Sequence, residues 1–273
     1  MILVTGHKGF IGRNLVKHLE QQGNKVYGFD AVDGDPIELA KQVPWDKITM
    51  IYHQGAISNT TELDVLKVQR WNVQSSVEIF QKAIQHKIPV HYASSGSVYG
   101  QSMAVNKTYD YNPLNYYAVS KYTVDLWVME NRSSFTAPIT GYRYFNVYGA
   151  DEKKSDFCTS PVYRFSEQAK NDGVIKIFKG SENTYRDFVW VGDIIKIITT
   201  NAKEGIFDLG CSHPISFLDV AVIVADKYNV PVKFIDMPEI IKGKYQTYSC
   251  ARRVFDHKFM MVEDFVNKYM YAE

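Results

Sequence analysis

The chain has 273 residues, 45% of them apolar and 22% charged, and a formal net charge of +1. That length can bury a large core or two lobes, and the near-neutral balance argues against nucleic acid or an acidic membrane as principal partner. Cys158, Cys211 and Cys250 are too widely spaced for a disulfide framework or a metal site, and the seven histidines form no HExxH-like cluster, so no metal is expected. No apolar run approaches the ~20 residues of a membrane span, and no basic leader precedes Ile2, so a cytoplasmic protein is expected.

Residues 2–5 read as a first strand, 12–22 as a helix with Leu15, Val16 and Leu19 on one face, and 25–29 as a second strand. A strand over 49–53, a helix over 71–86, a strand over 90–93, a helix over 117–131 and a strand over 139–144 follow. This alternation predicts an α/β fold, a Rossmann-like doubly wound parallel sheet with helices on both faces. After Gly149 the pattern loosens. Helices are expected over 161–171, 193–202, 216–228 and 262–270, and short extended runs over 174–178, 188–191 and 206–209. The domain reading is residues 1–150 as a dinucleotide-binding domain to which 188–210 returns. Residues 151–187 and 211–273 then form a smaller α/β substrate lobe.

The segment Thr5-Gly6-His7-Lys8-Gly9-Phe10-Ile11-Gly12 sets three glycines between the first strand and its helix. Gly6 permits a tight turn, Gly9 lets backbone approach a pyrophosphate, and Gly12 lets helix and sheet pack closely; the helix N-terminus offers N–H donors to the anion. Asp30 ends the second strand, 18 positions beyond Gly12 (30 − 12), near the ~20 expected for a ribose-binding acid. Its carboxylate suits ribose hydroxyls and repels a 2′-phosphate. With no Lys or Arg between Ala31 and Glu38, NAD is favoured over NADP as cofactor. No clear third strand lies between Asp30 and the strand at 49, so one sheet edge is expected to be missing.

Tyr117 and Lys121 form a Y-x-x-x-K pair on one face of a helix. A free phenol titrates near ~10 and is a poor base at neutral pH, but a neighbouring ammonium favours its phenolate. Ser95, in the serine-rich run that follows a strand, lies where ligands bind α/β sheets and can hydrogen-bond a substrate oxygen becoming a carbonyl.

Taken in order, TGHKGFIG, HQGAIS (53–58), YASSGSVYG, YYAVSK, RYFNVYG (143–149) and RDFVWVGD (186–193) resemble the extended short-chain dehydrogenase/reductase family, the nucleotide-sugar epimerases and dehydratases, over essentially the whole chain. Residues 53–64, 178–193 and 241–248 are similar to the branch of that family that inverts C6 of an ADP-linked glyceromanno-heptose for lipopolysaccharide. The resemblance implies an NAD(P)-dependent isomerase acting on a nucleotide-diphosphate sugar, ADP-heptose foremost, and a homo-oligomer. It implies that Phe10, Ile11 and Asp30 contact the adenosine half of the cofactor, and that Gln54, Gly55, Ala56, Ile57, Ser58 and Asn72 line its ribose and pyrophosphate. Ser95 would polarise the substrate, Tyr117 serve as acid/base, and Lys121 hold the nicotinamide ribose and the tyrosine. Asn146, Val147, Phe178, Lys179, Gly180, Ser181, Arg186 and Tyr245 would hold the nucleotide sugar.

The branch has a second acid/base, a lysine in the loop after RYFNVYG. Gapless alignment sets Ser155 there, with Lys154 adjacent and the candidate; Arg164, on the helix that would face the sugar, stands where a histidine is usual. A 4-epimerase of the same family is the nearest alternative. A 4,6-dehydratase would carry carboxylates where Gly96 and Ser97 stand, and a non-catalytic dinucleotide sensor would have no need of Tyr117, Lys121 and Ser95 together.

Overall fold

The computed structural model describes residues 1–105, 107–150, 152, 159–238 and 246–270. The elements begin with β1 (Ile2–Thr5), α1 (Phe10–Gln21), β2 (Val26–Phe29), α2 (Pro36–Lys41), β3 (Met50–His53), α3 (Val65–Val68), α4 (Ser75–His86) and β4 (Val90–Ser95). They continue with α5 (Ser102–Val105), α6 (Tyr116–Glu130), β5 (Ile139–Tyr144), β6 (Asn146–Tyr148), α7 (Pro161–Asp172), β7 (Ile175–Phe178) and β8 (Tyr185–Trp190). Last come α8 (Val191–Thr200), β9 (Gly205–Leu209), β10 (Pro214–Ser216), α9 (Phe217–Tyr228), β11 (Val232–Ile235) and α10 (Val262–Tyr269). Two compact units result. One comprises Met1–Val98, Asn115–Arg143 and Ile195–Phe207, the other Tyr99–Leu114, Tyr144–Ile194 and Asp208–Glu273.

The first unit is built on a six-stranded sheet in the order β2-β1-β3-β4-β5-β9, with β2, β1, β3 and β4 paired in parallel. Every residue of β4 and β5 is buried, the mark of strands covered on both faces. Leu3, Ile51, Val90, Tyr92 and Ile139 from the sheet share one core with Ile79, Phe80, Val124 and Val128 from α4 and α6. The chain leaves β1 for β2 on one side and returns to β3 on the other. That reversal opens a crevice at the carboxyl edge, where such sheets bind ligands. Register pairs Thr5 with both Phe29 and His53, so the residues that follow (Gly6, Asp30 and Gln54) emerge together on that edge.

β2 is the edge strand, as the short interval after Asp30 predicts. The connection to β3 holds only α2 and a 3-10 turn at Trp45–Lys47. Asp35 caps α2 by accepting the Ile37 N–H at 2.9 Å, and Pro36 stands in its first turn, where its missing N–H costs nothing. The helix expected over 71–86 differs. Helical structure starts at Val65 and passes through a π-helical stretch, Gln69–Gln74, before α4. The wider turn carries Asn72, which is 1% exposed, with its amide bonded to backbone (below).

The second unit holds a three-stranded sheet, β10-β8-β6, and a two-stranded parallel pair, β11-β7. Val162 and Phe165 of α7, Val220 and Val224 of α9 and Phe265 of α10 close its core with Tyr148 and Ile175. Ser160 caps α7 and is itself held by the buried Glu152, which accepts its N–H at 2.5 Å and its hydroxyl at 2.6 Å. Ser216 and Asp219 form a capping box on α9. Buried Asp187 accepts the N–H groups of Cys211, Ser212 and Ala251 at 2.8, 2.9 and 2.8 Å, tying separate segments of this unit to β8. Among the described residues no helix is long and apolar enough to cross a membrane.

Candidate active site

At the carboxyl edge of β1 the glycine loop is as close-packed as its spacing requires. Gly6 has φ +67°, and a Cβ on it would lie 2.6 Å from Gly55 Cα; a Cβ on Gly12 would lie 2.0 Å from the Gly6 carbonyl oxygen. Gly9 is the N-cap of α1 and contributes no side-chain cap, which leaves the helix N-terminus suited to an anion. His7 Nδ1 is buried in this loop with no hydrogen-bond partner among the described residues. A dinucleotide cradle accounts for all three features. Ile11 is half-buried, whereas the Phe10 side chain is 4% exposed.

Asp30 lies beside this loop, accepting the Lys8 N–H at 3.1 Å and the Val32 N–H at 3.3 Å. The Lys8 ammonium pairs with Asp33, whose carboxyl it holds below the ordinary value. Lys8 thus brings a cation to the Asp30–Asp33 turn although no Lys or Arg lies between Ala31 and Glu38. Gln54, Gly55, Ala56 and Ile57 are half-buried and Ser58 is exposed in the loop leaving β3. Thr5 Oγ1 accepts the Gly55 N–H at 3.0 Å. Asn72 clamps the same loop, accepting the Ile57 N–H at 2.7 Å and donating to the Ile57 carbonyl and to Ser120 Oγ, both at 3.0 Å. Its amide therefore holds the loop in shape.

Ser95 ends β4, 8% exposed, and Asn115 caps α6 by accepting the Ala118 N–H at 2.9 Å. That cap starts α6 so that Tyr117 falls in its first turn and Lys121 one turn later. The Lys121 ammonium is 6.0 Å from the Tyr117 ring centroid and donates to the Ala93 carbonyl at 2.8 Å. Ser120 Oγ donates to the Tyr117 carbonyl at 2.7 Å, which links the tyrosine to Asn72. Burial pulls the Lys121 pKa down to about 8, and Asp125, one turn further along α6, opposes the fall. Asp125 is fully buried, accepting from Arg143 Nε at 2.8 Å and Tyr92 OH at 3.0 Å. Burial and the Lys121 charge push His53 down to about 3, so it stays neutral between Thr5 and Ser76 at 2.7 and 2.8 Å. Lys121, 6.0 Å from the Tyr117 ring centroid, is thus a buried ammonium that responds to pH near neutrality.

In the second unit Asn146 and Val147 lie on β6 and pair with Phe188 and Val189 of β8, the strand that also carries Arg186. Phe178 ends β7, and Lys179, Gly180 and Ser181 turn from it toward β8, with the Lys179 ammonium 2.8 Å from Asp236. Arg186 is 6% exposed; it donates to the Tyr185 carbonyl at 3.0 Å and to the Gln246 carbonyl, with its guanidinium 5.5 Å from the Phe217 ring centroid. Arg164 is exposed on α7. Lys154 and Tyr245 lie outside the described residues.

A sequence model of the NAD dependent epimerase/dehydratase family matches residues 2–208. The chain belongs to that family. Its cofactor is accordingly a nicotinamide dinucleotide, and the glycine cradle and Asp30 fit one. A curated relative, the ADP-L-glycero-D-manno-heptose-6-epimerase of Brachyspira hyodysenteriae, is 32% identical over 98% of this chain and 96% of its own length. The crystal structure of the Helicobacter pylori ADP-L-glycero-D-manno-heptose-6-epimerase is similar at a TM-score of 0.81 and 25% identity, covering 98% of this chain and 94% of that one. A UDP-N-acetylglucosamine 4-epimerase from Methanobrevibacter ruminantium M1 also reaches 0.81, at 19% identity over 97% and 96%, a likeness of fold.

Three features of this family member were not foreseen from its sequence: the Lys8–Asp33 pair, the Asp125–Arg143–Tyr92 cluster behind Lys121, and Ser97 against Ser95. Asp125 alone carried a local signal, its i+4 spacing from Lys121.

Proposed function

We propose that this protein is a nucleotide-diphosphate-sugar epimerase, acting on ADP-glyceromanno-heptose by transient oxidation and re-reduction at C6. The observation that carries the reading is the Tyr117–Lys121 pair, one turn apart at the start of α6, with Ser95 at the end of β4. The similarity to two heptose epimerases supports the choice of sugar. A dinucleotide held by the cradle through its pyrophosphate would supply a reversible hydride acceptor for the substrate carbon.

The protein's own groups handle the proton and the oxygen. Tyr117, as phenolate, takes the proton of the C6 hydroxyl, and the Lys121 ammonium stabilises that phenolate. Ser95 donates to the oxygen as it becomes a carbonyl. Return of the proton on the other face needs a second donor, and Lys154 is the candidate. We assign cofactor binding to the first unit through Gly6, Gly9, Gly12, Asp30 and the 54–58 loop. The nucleotide sugar is assigned to the second through Asn146, Val147, residues 178–181 and Arg186.

The test is incubation with ADP-D-glycero-D-manno-heptose, following C6 configuration by NMR, with Tyr117→Phe as control. Inversion by the wild type, and none by a Tyr117→Phe variant that still releases cofactor on denaturation, is expected. An active Phe variant would sink the assignment of the base. Conversion of a UDP-hexose in place of the heptose would make the enzyme a 4-epimerase.

A further inference from the structure

Ser95 closes β4, and the chain turns at once through Gly96 into a short 3-10 turn, Gly96–Tyr99. That turn folds Ser97 back onto Ser95. The Ser97 N–H lies 3.2 Å from Ser95 Oγ, and Ser97 Oγ donates to the same oxygen at 2.9 Å. A serine oxygen has two acceptor lone pairs and one proton. With both lone pairs occupied by Ser97, the valence left to Ser95 is its own O–H. Among the described residues that O–H donates to no acceptor, and at 8% exposure Ser95 is largely shielded from solvent.

We propose that Ser97 is a positioning residue that fixes Ser95 as a hydrogen-bond donor and leaves its single proton for the substrate oxygen at which the carbonyl forms. The inference rests on the roles given above to Ser95 and Tyr117. The substrate hydroxyl has one proton, which must leave with Tyr117 while the carbon–oxygen bond gains its second bond. A serine free to rotate would spend part of its time accepting that proton's hydrogen bond, in competition with the phenolate. Ser97 removes that state. While the carbon–oxygen bond gains its second bond, a donor already aimed at that oxygen needs no reorganisation.

The variants that separate this from simple packing are Ser97→Ala, which keeps the N–H and loses the O–H, and Ser97→Thr, which keeps both. Ser97→Ala is expected to lower kcat about tenfold with KM within about twofold of wild type, and Ser97→Thr to recover most of the loss. An unchanged kcat in Ser97→Ala, or an equal loss in Ala and Thr, overturns the proposal. Full turnover by Tyr117→Phe in the same assay would instead break the underlying reading, whatever Ser97 does. A neutron structure of the wild-type protein needs no turnover. The Ser95 deuteron should point away from Ser97 Oγ, and a deuteron donated from Ser95 to Ser97 would refute the assignment even if the sugar proves to be a different one.

Discussion

Lys121→Met removes a charge from the interior while keeping an unbranched side chain of similar length. Lys121 is 6% exposed, and burial lowers its pKa from 10.5 to about 8. The difference, near 2.5 units, corresponds to about 3 kcal/mol at 1.36 kcal/mol per unit. Because the folded value lies below the unfolded one, the unfolded chain holds more protons between pH 8 and 10.5, and wild-type stability rises with pH across that window. Below pH 8 the wild type carries the whole penalty, and above 10.5 it carries none. Methionine never carries it, but it leaves the Ala93 carbonyl without the 2.8 Å bond from Lys121, a loss of about 1 kcal/mol. The variant should therefore be inactive yet about 2 kcal/mol more stable at pH 7, with the advantage gone before pH 10.5 and replaced there by a deficit of up to about 1 kcal/mol from the lost Ala93 bond. Urea denaturation at pH 7, 9 and 10.5 reads this directly. A variant less stable than wild type at pH 7, or a gap that stays constant with pH, would refute the reasoning.

Two further outcomes follow from the cofactor cradle. Asp33→Asn releases the Lys8 ammonium beside Asp30, so the ratio of NADP to NAD affinity should rise about threefold to fivefold at low salt; an unchanged ratio in fluorescence titration would count against a role for Lys8. Gly12→Ala sets a methyl group 2.0 Å from the Gly6 carbonyl oxygen, which forces backbone apart. It should cost about 2–3 kcal/mol in thermal or urea unfolding and abolish cofactor retention, and a stable variant that still binds NAD would show the loop to be looser than its packing implies.

Much of the candidate site's geometry in the first unit was legible because its signals are local. The glycine triplet and the Tyr117/Lys121 spacing each state their geometry within eight residues or fewer, and Asp30 is read from the end of its strand, 18 positions beyond Gly12. Strands such as 2–5 and 139–144 emerge at the positions their apolar runs predict, since a buried parallel strand leaves little choice of residue. The π-helical stretch around Asn72 was not readable from its own residues; the hydrogen bonds that Asn72 makes there run to Ile57, fifteen residues away. Lys8 and Asp33 meet only because β1 and β2 are neighbours, so a scan along the chain after Asp30 misses the cation. Arg143 reads as an ordinary strand residue until β5 brings it 2.8 Å from Asp125. In the second unit β10 and β11 are short strands whose partners β8 and β7 lie far away in sequence, and neither has a period long enough to announce itself.

The position of β2 at the sheet edge has a consequence for the cofactor. Asp30 hangs from a four-residue strand laddered on one side only, to β1. Such a ladder opens more readily than one flanked on both sides. A nucleotide that grips Asp30 binds the closed ladder and not the open one, so its affinity and the fraying of β2 form a single linked equilibrium. Each factor by which the ligand favours the closed strand returns as the same factor in the strand's protection. The adenosine end of the cofactor would thus act as the missing neighbour of β2, splinting an edge that the short connection after Asp30 leaves uncovered.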